Sequence, residues 1–86
     1  MNKKEIERAR DYDLRDIVMQ QCDRFQKGHN HIKIRCVFHN ERTPSLTIYE
    51  NNYFCFGCGK HGDIFSWVME TMDMEFPDAV KFINQL

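Results

Sequence analysis

The sequence predicts a small α+β fold: a short antiparallel β-sheet stapled by a metal at one end, with helices on its N- and C-terminal sides. Three observations predict it. Cys36 and His39, then Cys55 and Cys58, form two short ligand pairs, C-x2-H and C-x2-C, with fifteen residues between them. Polar and apolar residues alternate at 31–35 and 45–49, and Tyr53–Cys55 returns as a strand into the second pair. Apolar residues recur at helical spacing before residue 23 and after residue 63.

Two residues between paired ligands let a tight knuckle aim both side chains at one ion, and the long interval lets a hairpin bring the second knuckle to face the first. Three thiolates and one imidazole complete a tetrahedral sphere for Zn2+. A closed sphere leaves no position for water or substrate, so the ion is expected to be structural and not a Lewis acid. The fold class is therefore a zinc ribbon with two zinc knuckles, flanked by helices. Buried free cysteines are the alternative, but two such pairs rarely coincide by accident in one turn-rich segment. Cys22 falls outside the spacing and is expected as a helix-borne thiol that serves as a small core residue.

Taken in order, Ile6, Ala9 and Tyr12 line one face of a first short helix, and Asp13 caps a second whose inward positions are Leu14, Ile17, Val18 and Cys22. Gly28-His29-Asn30 is a turn signal before the strand His31–Arg35. Ser45–Tyr49 alternates again. Asn51-Asn52 supplies left-handed turn residues, and Tyr53–Cys55 returns as a strand into the second knuckle. Gly57, Gly59 and Gly62 permit positive φ around Cys58. Asp63 caps a helix carrying Ile64, Phe65, Val68, Met69 and Met72, and Phe76-Pro77 starts a last helix with Ala79, Val80, Ile83 and Leu86 inward.

An 86-residue chain holds one domain, residues 1–86, and a core of that size supplies only a few kcal/mol, so a metal staple is physically expected. No apolar stretch approaches the ~20 residues that span a bilayer, and the N-terminal residues lack the apolar core of a secretory signal. The expectation is a soluble, cytoplasmic protein with no membrane partner, in a reducing compartment that keeps thiolates for metal. The net charge of −1 conceals an asymmetry. Residues 24–61 carry six basic against two acidic side chains, while residues 62–86 carry one against five. A positive ribbon backed by acidic helices suits a nucleic-acid face.

The segment Cys36-Val37-Phe38-His39-Asn40-Glu41-Arg42-Thr43-Pro44-Ser45, followed by Phe54-Cys55-Phe56-Gly57-Cys58-Gly59 and Gly62-Asp63-Ile64-Phe65, closely resembles the N-terminal zinc-binding domain of bacterial and phage DnaG-type DNA primases. In that family C-P-F-H-x-E-K/R-T-P-S-F precedes C-F-G-C-G-x-x-G-D, and the closing Phe-Pro-Asp-Ala-Val is similar to its F-P-E-A-V. The resemblance implies that Cys36, His39, Cys55 and Cys58 bind zinc. It also implies that the module engages single-stranded template DNA and helps a separate catalytic region begin RNA primers at preferred short sequences. Val37 replaces the family's proline, and His29 replaces a frequent basic residue.

From the residues alone, Lys33, Arg35, Arg42 and Lys60 are expected at DNA phosphates, with Tyr49, Tyr53, Phe54 or Phe56 stacking on bases where exposed. Phe54, Phe56 and Trp67 are expected mainly as core; His31 and His61 as surface residues. Primer synthesis needs clustered carboxylates for Mg2+, which this short chain is not expected to provide. The expected function is thus a non-catalytic zinc module of DNA replication and the primosome, acting within a primase or in trans with a primase or polymerase catalytic subunit. The alternative is an adaptor that docks on a polymerase, primase or replicative helicase through its acidic and apolar helices, including one encoded by a mobile element.

Overall fold

The computed structural model of the protein describes residues 2–38 and 44–86. Helix α1 (Lys3–Arg10) begins where the Asn2 side chain accepts the Glu5 N–H at 2.9 Å. Helix α2 (Leu14–Gln21) begins at Asp13, which accepts the Arg15 N–H. Asp13 also receives the Arg15 guanidinium at 2.9 and 2.7 Å, and this hydrogen bonding holds its carboxyl below the usual range. Each such cap is worth about 1 kcal/mol.

Five strands follow: β1 (Gln26–Lys27), β2 (Ile32–Ile34), β3 (Leu46–Ile48), β4 (Asn52–Cys55) and β5 (His61–Asp63). They form one antiparallel sheet in sequence order. Strand β5 runs directly into α3 (Ile64–Thr71), capped by Asp63, and α4 (Phe76–Asn84) carries Pro77 in its first turn, as its residue order predicts. Strands β1 and β5 were not expected. Gln26–Lys27 has only two residues and His61-Gly62-Asp63 has no apolar residue to alternate, so neither carries a strand pattern; both pair with a neighbouring strand that offers backbone partners.

The register sorts side chains onto two faces. Ile32, Ile48 and Tyr53 form one cross-strand row and Ile34, Leu46 and Cys55 another, all buried. Helices α2 and α3 close over these rows with Leu14, Ile17 and Val18 and with Ile64, Trp67 and Val68, and α4 adds Ala79, Val80 and Ile83 to the core from behind, packed on α1 and α3. Trp67 sits at the centre, edge-on to Tyr53 at 5.2 Å and to Phe38 at 5.9 Å, with its indole N–H satisfied by Gln21 Oε1 at 2.8 Å. Aromatic pairs of this kind add about 0.5–1.5 kcal/mol beyond their buried area. On the opposite face Gln26, Lys33, Thr47, Phe54 and His61 form one row across all five strands.

Several side chains depart from expectation. Phe56 is 67% exposed, because it stands at the tip of the second knuckle, beyond the helical layer. Phe54 lies on the outer face, half-buried, and Leu86 is 47% exposed past the end of α4. Cys22 is the extended C-cap residue of α2, half-buried against the core. Neither Asn51 nor Asn52 is left-handed, and of the glycines Gly59 alone has positive φ, at 80°. Gly62 is required for space: a Cβ there would lie 2.7 Å from Ser66 Cβ and 2.8 Å from the Tyr53 hydroxyl.

Asp73 holds φ at 53° just beyond α3, where the Met74 N–H returns to the Met69 carbonyl at 3.1 Å. That left-handed helix-ending position is one that glycine fills without a Cβ penalty. Asp73→Gly is expected to stabilise the zinc-loaded chain by about 0.5 kcal/mol, a rise of roughly 2–4 °C in Tm for a domain of this size. A thermal melt showing a lower Tm would contradict the helix-end geometry.

Candidate metal centre and the outer face of the sheet

The pairing of Ile34 with Leu46 and of Leu46 with Cys55 sets where the thiols meet. Cys36 lies two residues beyond Ile34, so both knuckles emerge at the same end of the sheet. The second knuckle is a tight turn: the Gly59 N–H donates to the Cys55 carbonyl and the Cys55 N–H to the Lys60 carbonyl, each at 2.8 Å. Left-handed Gly59 lets the chain reverse there.

The Sγ atoms of Cys36, Cys55 and Cys58 all lie within 4.8 Å of one another, with Cys36 and Cys55 buried and Cys58 exposed. Cys36 Sγ and Cys58 Sγ are 3.9 Å apart. Zinc–sulfur bonds of about 2.3 Å in a tetrahedron demand a sulfur–sulfur edge of about 3.8 Å, whereas a disulfide needs about 2.05 Å. The donor set fits Zn2+. The Phe38 N–H points at Cys36 Sγ at 3.4 Å, and the Ser45 hydroxyl meets Cys55 Sγ at 3.4 Å, the outer contacts that a thiolate centre uses. His39, the expected fourth ligand, lies outside the described residues, as does Arg42.

Without a cation the thiols differ. Burial pushes the Cys36 thiol up to about 11. Burial acts upward on Cys55 too, but the Ser45 hydroxyl and the Cys58 and Gly57 N–H groups outweigh it and bring the group down to about 7. Zinc must therefore expel a proton from Cys36 at neutral pH, and affinity for the metal rises with pH.

A clamp holds the second knuckle to α3. Lys60 Nζ lies 2.6 Å from Glu70 Oε1, and the Tyr53 hydroxyl donates to Glu70 Oε2 at 3.1 Å. The same ammonium stands 5.3 Å above the ring of Phe38, next to the first knuckle. One cation thus touches both knuckles and the helix behind them. Sequence reasoning missed Glu70 because nothing in its spacing marks it; only the fold brings it to Lys60 and Tyr53.

The other expected DNA-contacting residues sit elsewhere. Lys33 lies in the outer row and Arg35 is exposed just beyond β2. Beside them Phe54 packs edge-on against Phe56 at 4.9 Å and stacks on His61 at 6.1 Å. At the opposite edge of the sheet, by β1 and β2, an open groove of about 840 Å³ is lined by Asp23, Arg24, Phe25, Lys33, Arg35 and Pro44 among others. Tyr53 points inward, and Tyr49 is half-buried beside His31.

The CHC2 zinc finger model matches residues 1–86. The chain belongs to the CHC2 zinc finger family. This CHC2 zinc finger is 36% identical over 81 residues to a DNA primase of Clostridium acetobutylicum, covering 91% of this chain and 13% of the primase. It is 37% identical over 75 residues to a DNA primase of Staphylococcus epidermidis, covering 85% of this chain and 12% of that protein. The chain thus spans about an eighth of the length of these relatives. Its fold superposes on the crystal structure of the Aquifex aeolicus primase (zinc-binding and RNA polymerase domains) with a TM-score of 0.82 and 25% identity, over 99% of this chain and 21% of that one. The expected fold, a zinc ribbon flanked by helices, and the expected Zn2+ cofactor are those of this zinc finger. No helix among the described residues is long and apolar enough to cross a membrane.

One zinc per chain is expected, held by the clustered thiols and independent of Cys22. Metal analysis after dialysis should find Cys58→Ser depleted of zinc and Cys22→Ser fully loaded. Stoichiometric zinc in the first variant, or loss in the second, would contradict the centre described.

Proposed function

We propose that this CHC2 zinc finger binds single-stranded template DNA across the outer face of its sheet and assists a primase catalytic subunit in starting primers, either within a longer primase or in trans. The observation that carries the proposal is the outer face itself. It combines the cations Lys33 and Arg35 with the aromatic pair Phe54 and Phe56, and leaves Phe56 largely in water. Cations that track phosphates and aromatic rings that stack on bases are the two parts of a single-strand binding surface. Of the acidic residues of 62–86, Glu70, Asp73, Glu75 and Asp78 lie on α3, α4 and the turn between them, and Asp63 stands at the end of β5, where it caps α3.

His39 completes the coordination of zinc with Cys36, Cys55 and Cys58 in this proposal, and the ion acts as a structural staple. Lys33, Arg35 and Arg42 supply the principal phosphate contacts. Lys60 contributes less, because its ammonium already lies against Glu70. Polymerisation is assigned to a partner: the Aquifex protein carries RNA polymerase domains beside its zinc-binding domain, and this chain covers 21% of that one. The residues are proposed to assist that chemistry by holding template and not to perform it.

Fluorescence anisotropy with a labelled oligonucleotide across a salt series tests the proposal. If three cations meet phosphates, the logarithm of affinity falls against log salt with a slope near −2, from about −0.7 per phosphate on single strands. Lys33→Ala and Arg35→Ala should each lower the slope by roughly 0.7 with zinc retained, and Lys60→Ala should change it least. No binding at low salt would instead favour an adaptor that docks on a replication protein.

A further inference from the structure

Thr47 occupies the middle of the outer row, flanked across the strands by Lys33 on β2 and Phe54 on β4. Leu46 and Ile48 on either side of it face the core, so the pleat directs Thr47 away from the helices. Yet Thr47 is only 2% exposed, and its hydroxyl is the one buried side-chain nitrogen or oxygen among the described residues without a hydrogen-bond partner. Such a group lowers stability for no structural return, and buried polar atoms of proteins are nearly always satisfied. A valine of the same shape would fill the site without that loss.

We infer that the Thr47 hydroxyl hydrogen-bonds the edge of a DNA base that stacks on Phe54, and so determines which short template sequences this zinc finger prefers. The inference rests on the single-stranded DNA reading above. The two flanking side chains are those proposed to engage DNA, Lys33 through a phosphate and Phe54 through a base, and the inference requires their engagement to open the hydroxyl that lies between them in the row. Phosphate contacts carry no sequence information, and stacking tolerates every base. Discrimination on this face therefore falls to a hydrogen-bonding group. Of the polar members of the row, Gln26 and His61 are exposed to competing water, whereas Thr47 is dry. A hydrogen bond made in such surroundings separates a matching from a mismatching base most strongly, because the mismatch leaves the group unpaired. The hydroxyl both donates and accepts, so it suits a carbonyl or an amino group on the base edge.

The test measures affinities of the zinc-loaded chain for a set of single-stranded oligonucleotides that differ at one base at a time. For the native chain a preference among bases is expected; Thr47→Val should shrink the ratio of best to worst affinity by about three- to tenfold, the worth of one neutral hydrogen bond. The salt slope should stay unchanged, Tm should hold or rise, and Thr47→Ser should keep the preference. Undiminished preference in Thr47→Val, or a native chain that binds DNA without preference, overturns the inference and leaves the DNA reading standing. A native chain that binds no oligonucleotide overturns both. If Thr47→Val fails to load zinc, the NMR signals of Thr47 in the native chain decide instead: a shift of its methyl on adding the preferred oligonucleotide supports the inference, and an unmoved methyl overturns it.

Discussion

Three sulfur atoms held within 4.8 Å of one another constrain the rest of the ribbon. Three thiolates at that distance repel one another, and burial makes Cys36 still more reluctant to ionise, so the arrangement is stable in a single ionised state only with a divalent cation at its centre. The cation in turn demands the register observed. Shifting β2 or β4 by one residue would flip every side chain to the other face and carry the knuckle thiols apart. Metal geometry and hydrophobic alternation thus select the same pairing of Ile34 with Leu46 and Leu46 with Cys55.

The helices complete what the metal begins. Trp67, Tyr53 and Phe38 interlock under the knuckles, and Glu70 holds Lys60 and the Tyr53 hydroxyl from behind. This packing is one-sided. Helices α2 and α3 pack on one face of the sheet and α4 packs behind them on α1 and α3, while the row of Gln26, Lys33, Thr47, Phe54 and His61 lies on the other face. In the proposed division of labour, zinc and helices hold the sheet and its outer face presents cations and aromatic rings. A preformed surface loses little conformational entropy of its own when a flexible strand is laid on it.

Much of this was legible in the residues. The spacing that brings Cys36, Cys55 and Cys58 together, the strands within 31–35 and 45–49, and the caps Asp13 and Asp63 each follow a local rule. Features that depend on what lies across from a residue were not legible. Phe56 looks like core until the knuckle carries it past the helices, and Lys60 looks like a free cation until Glu70 arrives from ten residues further along the chain. Thr47 shows the same limit in reverse: its alternation says outward, yet it is buried between its cross-strand neighbours Lys33 and Phe54, which no local pattern reveals.

The central claim is that metal coordination, and not the apolar core alone, makes the sheet a folded object. Zinc binding by small structural sites is worth about 10–16 kcal/mol near neutral pH, more than the whole stability of most domains this size. The most direct measurement is an amide NMR spectrum of the chain before and after zinc is withdrawn by a strong chelator under reducing conditions. The account predicts collapse of the dispersed signals of β2, β3 and β4 and their return when zinc is restored. A metal-free chain that keeps those signals and an undiminished cooperative melt would contradict it.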